Sequence, residues 1–205
     1  MPRRKSSKLA VFVSSSVYGR EPLLEQIVTA LDGFGFQAWN SHVGSMPHGF
    51  QNTYEGCLDA VAECDIFLGL INPRYGSGTD GAGGKSITHL ELEKAIASMK
   101  PRFTLAHEQV VHARRLLMDL SFPAGMDRSM LSLRKGASVI DDLRLVDMYD
   151  EATQEHLPIP QRDSNWVQKY KTDAEVLRYI ETQFGRYKDM QRLIDDWQRR
   201  KGLKP

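Results

Sequence analysis

Two glutamates, Glu91 and Glu93, lie in an amphipathic segment that follows a glycine-rich stretch of the chain. This segment is predicted to form a helix over 87–100, with Ser86 as its N-cap. The apolar stripe of the helix, at a period of 3.6 residues, consists of Thr88, Leu92, Ala95, Ile96 and Met99. Glu91 lies at the border of this stripe, whereas Glu93 lies nearly opposite it and is predicted to face solvent.

A carboxylate at the border of a buried stripe can enter a partly desolvated cleft. Desolvation raises the pKa of a carboxyl group and makes it usable as an acid, a base or an electrostatic stabiliser at neutral pH. Glu91 is therefore the predicted catalytic residue. The alternative is a solvated glutamate near the start of a helix, where its negative charge interacts favourably with the helix dipole.

Three polar loops, at 14–20, 40–49 and 72–85, are predicted to lie at one edge of a parallel sheet. In open α/β sheets, ligands bind outside the carboxyl ends of the strands, where such loops lie. Serine hydroxyls near a helix start suit a phosphate or a ribose, and arginine can bind phosphate through two hydrogen bonds. The residues predicted to line a substrate pocket are Ser14, Ser15, Arg20, Arg74, Tyr75 and Ser86. The alternatives are a polar turn without a ligand and solvated surface arginines.

Several familiar catalytic patterns are absent from the sequence. The stretch 76–84 contains five glycines but matches neither a Walker loop nor the GxGxxG pattern, so it is predicted to be a mobile lid rather than a phosphate cradle. The six histidines show neither an HExxH pattern nor a paired His–carboxylate spacing, which argues against a metal site. No GxSxG nucleophile elbow is present, and no cofactor is expected.

The elements that would position these residues alternate between strand and helix. Buried strands are predicted at 9–13, 36–39, 65–71 and 102–106, and helices at about 21–31, 52–63, 87–100 and 108–120. This repetition implies right-handed crossovers and an α/β fold, in which a parallel sheet carries helices on both faces. A fifth strand is predicted at 143–148, and the segment 173–198 is predicted to be helical with a break at Gly185.

Three parts of the chain are expected from this pattern. Residues 1–8 form a basic tail that is predicted to be disordered, and residues 9–154 form the α/β domain. Residues 155–205 form a C-terminal loop and helical extension.

The composition is typical of a soluble globular protein. The chain has 205 residues, of which 41% are hydrophobic and 26% are charged, and its formal net charge is +1. A charge so close to zero predicts neither nucleic acid nor a membrane surface as a partner. No apolar run is long enough to span a bilayer, and no secretory signal follows the basic N-terminus. The two cysteines lack the spacing of a metal or redox pair, so a cytoplasmic location is expected.

Three motifs occur in the first half of the chain, namely VFVSSS at 11–16, CDIFLGLINPRYG at 64–76 and SITHLELEKA at 86–95. Together they resemble a family of TIR-like domains of unknown function, whose members occur in bacteria alone or fused to NTPase modules of defence proteins. The resemblance covers residues 9–106. It implies a flavodoxin-like parallel sheet, which is the fold of TIR domains.

The resemblance also implies an activity, because some TIR domains cleave the nicotinamide–ribose bond of NAD. In those enzymes a glutamate on the helix after the third or fourth strand engages the ribose, with an alanine four residues later. Glu91 with Ala95 matches this spacing, which implies that Glu91 stabilises an oxocarbenium-like transition state. NAD-cleaving members commonly carry an aromatic or cysteine pair where this chain has Ile87 and Thr88. The residues that could supply an aromatic wall instead are Phe12, Tyr18, Trp39 and Tyr75.

Three functions follow as hypotheses. The first is a nucleotide-processing enzyme of bacterial defence or stress signalling that cleaves the N-glycosidic bond of NAD and is activated by self-association. NAD would then be a substrate rather than a cofactor. The second is a non-enzymatic TIR-like interaction module, in which the loops at 40–49 and 72–85 contact a neighbouring copy. The third is a nucleoside N-glycosyl transferase or hydrolase, since that chemistry also uses a glutamate on such a fold.

Overall fold

A computed structural model of the protein describes residues 8–47, 54–76 and 84–202. Its centre is one sheet of five strands, in which every pairing is parallel. The strands are β1 (Ala10–Ser15), β2 (Gln37–Trp39), β3 (Ile66–Ile71), β4 (Arg102–His107) and β5 (Val167–Tyr170). Their order across the sheet is β2-β1-β3-β4-β5. This order is that of flavodoxin-like folds, so the predicted fold class is confirmed.

The helices lie on both faces of the sheet and connect its strands. They are α1 (Glu21–Gly33), α2 (Tyr54–Glu63), α3 (Ile87–Ala97), α4 (Glu108–Asp119), α5 (Arg144–Thr153), α6 (Asp173–Phe184) and α7 (Tyr187–Arg200), with a short 3-10 turn at Ile159–Gln161. Helices α1, α6 and α7 pack on one face, and α2 to α5 pack on the other. None of the helices in the described ranges is long and apolar enough to cross a membrane.

The alternation of side chains along the central strands produces the two cores. On β1, Val11 and Val13 point into the core beneath α1, whereas Phe12 points into the core beneath α2 and α3. Strand β3 repeats the pattern, because Leu68 joins the first core and Phe67 joins the second. Because residues on both faces are buried, these strands appear in the sequence as continuous apolar runs.

Two features of the second half differ from the sequence-based expectation. The prediction of a strand at 143–148 is wrong, because this segment belongs to helix α5, whose Leu145, Val146 and Met148 are buried. The segment 155–205 contributes a strand as well as helices, since β5 pairs with β4 at the edge of the sheet. The predicted break at Gly185 is confirmed, because Gly185 separates α6 from α7.

Candidate functional site

Strand β1 directs Ser14 towards helix α3. Successive side chains of a strand point to opposite faces of the sheet, so Ser14 shares a face with Phe12, which packs in the same core as Leu92 of α3. Ser14 Oγ donates a hydrogen bond of 2.5 Å to Glu91 Oε2. The end of the first strand is therefore joined to the helix that carries the predicted catalytic residue.

The carboxyl group of Glu91 is buried, and the residue is 4% exposed. Burial raises the pKa of Glu91 from 4.5 to about 7, and the hydrogen bond from Ser14 acts in the opposite direction. At neutral pH both the neutral and the ionised forms are therefore populated. Such a group can give a proton to a leaving group or stabilise positive charge in a transition state.

The thiol of Cys57, on helix α2, lies close enough to Glu91 to interact with its charge. Burial raises the pKa of this thiol most, and the negative charge of Glu91 raises it further, while a hydrogen bond with Ser41 lowers it. Helix α2 therefore packs in the same core as the part of α3 that carries Glu91.

Glu91 lies in the wall of a cleft of about 210 Å³ at the carboxyl edge of the sheet. The remaining polar residues of its lining are Ser15, Ser16, Glu21, Asn40, Ser41 and Thr88. None of the described residues that line the cleft is a histidine, a lysine or an arginine. The cleft is therefore better suited to an uncharged polar group, such as a ribose, than to a phosphate.

The buried side chain of Asn40 fixes the loop after β2 against the end of β1. Its Nδ2 atom donates a hydrogen bond of 2.9 Å to the carbonyl oxygen of Val13, and its Oδ1 atom accepts from the backbone N–H groups of His42 and Val43. Asn40 was not among the residues predicted from the sequence. Its one sequence signal is the position of a polar residue directly after an apolar strand.

A second buried asparagine, Asn72, joins three strands at the same edge. It follows β3, and its Nδ2 atom donates a hydrogen bond of 2.7 Å to Ser15 Oγ and one of 3.3 Å to the carbonyl oxygen of Ser16. The Tyr170 hydroxyl, at the end of β5, donates to Asn72 Oδ1. Asn72 therefore holds the serine loop that borders the cleft.

Replacing Asn72 by alanine is expected to lower the free energy of unfolding by about 2 kcal/mol, because the half-buried hydroxyl of Ser15 and the buried hydroxyl of Tyr170 lose their partner. Urea unfolding of the variant and of the wild type measures this change. The exposed residue Gln26 of α1 offers a control, since Gln26→Ala is expected to change stability by no more than about 0.5 kcal/mol. An Asn72→Ala variant as stable as the wild type would show that Asn72 does not hold the loop.

A second compartment, of about 560 Å³, adjoins the cleft at Tyr18 and Gly76, which line both. Its lining includes Arg74, which is exposed. Gly76 has a φ of +85°, and a Cβ atom there would lie 3.1 Å from Ser16 Cβ. The chain thus needs glycine at the junction, where it approaches the serine loop closely.

The predicted pocket residues fall into two groups. Ser15 and the predicted catalytic residue Glu91 line the cleft, Ser14 is hydrogen-bonded to Glu91 without lining the cleft itself, and Arg74 lies in the adjoining compartment. The structure does not bring the remaining three, Arg20, Tyr75 and Ser86, into the lining of the cleft. Their role in substrate binding remains a prediction.

Each of these three residues has a structural partner. Arg20 forms an ion pair of 2.6 Å with Asp173. Ser86 is fully buried and caps α3, where its hydroxyl accepts a hydrogen bond from the His89 backbone N–H. Tyr75 is buried, and its hydroxyl lies 2.7 Å from His89 Nδ1. The N-cap predicted at Ser86 is thereby confirmed.

Tyr18 is the aromatic residue that the structure places in the wall of the cleft, among the four considered from the sequence. Its side chain is 75% exposed. The three other rings, those of Phe12, Trp39 and Tyr75, are buried in the core beneath α2 and α3. Tyr18 is therefore the ring available for stacking against a ligand in the cleft.

A separate charged cluster lies where α3 meets α5 and does not line the cleft. The ligand atoms of His89, Glu93 and Glu151 lie within 4.8 Å of one another. The Lys85 ammonium group pairs with Glu93 and, at 3.6 Å, with Glu151, so the chain itself supplies a cation here. His89 and Glu93 are one helical turn apart on α3, so the expectation that no histidine is paired in spacing with a carboxylate is wrong, whereas Glu151 comes from a distant helix that spacing could not reveal. The expectation of no metal remains a prediction.

Comparison with solved structures finds a similarity to the Clostridium botulinum CMP N-glycosidase BcmB. The sequence identity is 16% and the TM-score is 0.44, over 84% of this chain and 98% of that chain. A similarity of this size does not indicate which reaction the present chain performs. Comparison with curated proteins gives no match.

The sequence profile of one family matches nearly the whole chain. The family is described as "Domain of unknown function (DUF4062)", and the match extends over residues 10–195. It includes all five strands, the residues of the cleft, helix α6 and the first part of α7. The chain is therefore a member of the DUF4062 family.

Proposed function

We propose that this protein cleaves the N-glycosidic bond of a nucleotide, with NAD as the first substrate to test. The observation that carries the proposal is the buried carboxyl group of Glu91, hydrogen-bonded by Ser14 in a cleft at the carboxyl edge of the sheet. Cleavage of an N-glycosidic bond develops positive charge on the ribose. A carboxylate fixed in a low-dielectric site stabilises that charge.

The lining of the cleft supports a nucleoside as the reacting part of the substrate. The hydroxyl groups of Ser41 and Thr88 lie in the lining and can bind ribose hydroxyls, and the exposed ring of Tyr18 can stack on a base. Charged phosphates would extend into the adjoining compartment, where the Arg74 guanidinium can form two hydrogen bonds to a phosphate.

The resemblance to TIR domains supports NAD in particular. In the NAD-cleaving members a glutamate on the corresponding helix, followed by alanine four residues later, engages the ribose, and Glu91 with Ala95 has this spacing. Activation by self-association and a role in bacterial defence or stress signalling belong to the same proposal, since they derive from the same resemblance.

The direct test is to incubate the purified protein with NAD, AMP and CMP and to detect free base by chromatography. Release of nicotinamide supports the proposal in full. Release of adenine or cytosine alone supports N-glycosidic cleavage but excludes NAD as the substrate. Light scattering at each protein concentration shows whether the chain self-associates. If no base is released from any substrate in associated or monomeric protein, the proposal is wrong.

The pH dependence of the reaction is expected to differ in sign between the substrates. Nicotinamide leaves NAD as a neutral molecule and needs no proton, so the active form of Glu91 is the carboxylate, and kcat/KM rises about tenfold per pH unit up to about pH 7. Adenine and cytosine leave more readily when protonated, so the active form is the carboxylic acid, and kcat/KM falls above about pH 7. Initial rates between pH 5 and pH 9 measure this sign.

Ser14→Ala provides the control that assigns the pH dependence to Glu91. The hydrogen bond from Ser14 favours the ionised form of Glu91, so its loss is expected to move the midpoint of the profile upwards by about one pH unit. An unchanged midpoint in Ser14→Ala would show that another group controls the rate.

A further inference from the structure

The cleft contains a second carboxylate, Glu21, to which the proposed reaction has so far given no role. Glu21 is the first residue of α1, is half-buried and lines the same 210 Å³ cleft as Glu91. Within the described ranges its carboxylate accepts no hydrogen bond and forms no ion pair. The described part of the chain thus leaves this carboxylate, at the border of the cleft, open to a ligand or to water.

Glu21 lies in the first turn of α1, at the end of the helix that borders the cleft. The adjacent basic residue, Arg20, is paired with Asp173 at 2.6 Å and does not neutralise it. The other polar groups of the lining are uncharged hydroxyls and one amide, apart from Glu91 itself.

The two carboxyl groups of the cleft therefore differ in a way that suits two roles. Glu91 is 4% exposed and hydrogen-bonded by Ser14, whereas Glu21 is more exposed and has no such partner within the described chain. Hydrolysis of a glycosidic bond commonly uses two carboxyl groups in different environments, one acting at the bond and the other on water. The first of these positions is that of Glu91.

We propose that Glu21 is the general base that removes a proton from the attacking water, an assignment that rests on the proposed N-glycosidic cleavage. The C1′–N bond breaks and its electron pair passes to the leaving base. The water oxygen forms a bond to C1′, and one water proton passes to Glu21 and then to solvent. With NAD the products are nicotinamide, ADP-ribose and one proton. Nicotinamide leaves as a neutral molecule, so no group has to donate a proton to it.

Replacing Glu21 by alanine is expected to lower kcat for hydrolysis about 100-fold, because general-base catalysis contributes at least this factor. Azide, which attacks without losing a proton, is expected to restore base release in this variant and to give a ribosyl azide detectable by mass spectrometry. A role limited to structure would not be rescued by a nucleophile. Glu25→Ala, at an exposed position one turn along α1, is the matched control and is expected to retain the wild-type rate.

The outcomes separate this assignment from the proposed function. If the wild type releases base and Glu21→Ala does so at the same rate, or with only KM raised, Glu21 is not the base, although N-glycosidic cleavage still holds. If the wild type releases no base, both proposals are wrong. If Glu21→Ala fails to fold, the isosteric Glu21→Gln takes its place, and a wild-type rate in that variant would equally overturn the assignment.

Discussion

Replacing Glu91 by glutamine is expected to lower the rate of base release by about 10³-fold, the upper range for loss of one fixed electrostatic group. Glutamine keeps the size of the side chain and can still accept the hydrogen bond from Ser14, but it carries no negative charge and donates no acidic proton. The transition state loses stabilisation in either protonation form of Glu91. The measurement is kcat and kcat/KM for each nucleotide that the wild type cleaves, with kcat expected to carry most of the loss.

Glu93→Gln is the matched control, because Glu93 lies two residues along the same helix. Its side chain is 37% exposed and pairs with Lys85 outside the cleft, and an exposed ion pair of this kind contributes little to folding stability. The rate of base release is therefore expected to change by no more than about twofold. If Glu91→Gln retained the wild-type rate, or if both variants lost it equally, Glu91 would not be the catalytic residue.

The burial of Glu91 could be predicted from the sequence because it depends only on helical phase. Ala95 and Leu92 define the side of α3 that packs on the sheet, and Glu91 follows from their spacing, as the structure confirms. What lies opposite Glu91 could not be derived in this way. Ser14 reaches it because β1 and β3 are neighbours, and Glu21 borders the same cleft because α1 begins at that edge.

The two elements that were missed lacked a decisive local pattern. Strand β5 is at the edge of the sheet, and only Tyr170 in it is fully buried, so no continuous apolar run marks it. The segment of α5 contains apolar residues at 145, 146 and 148, a spacing compatible with either strand or helix. Its helical form depends on distant partners, including Arg114 of α4, which bonds Asp150 at 2.6 Å.

The same Glu91→Gln substitution is expected to stabilise the protein in a pH-dependent way. Because the pKa of Glu91 is raised by burial from 4.5 to about 7, the folded protein retains a proton there that the unfolded chain loses. Between these pH values the wild type therefore loses stability as the pH rises, by about 3 kcal/mol in total at pH 8. Glutamine does not ionise, so the variant avoids this loss. Urea unfolding at pH 4.5, 6 and 8 measures the difference.

The sign of this difference tests the site without any substrate. The stability gain of Glu91→Gln over the wild type is expected to be smallest at pH 4.5 and largest at pH 8, and a gain independent of pH would contradict the burial of an ionisable group at Glu91. Ser14→Ala should show the opposite trend, because it removes the hydrogen bond that stabilises the ionised form. In the double variant the pH-dependent effect of Ser14→Ala should disappear, since the two residues act through one interaction. If Glu91→Gln loses activity and gains stability, the Glu91 carboxyl group lowers the stability of the folded protein and is required for the reaction.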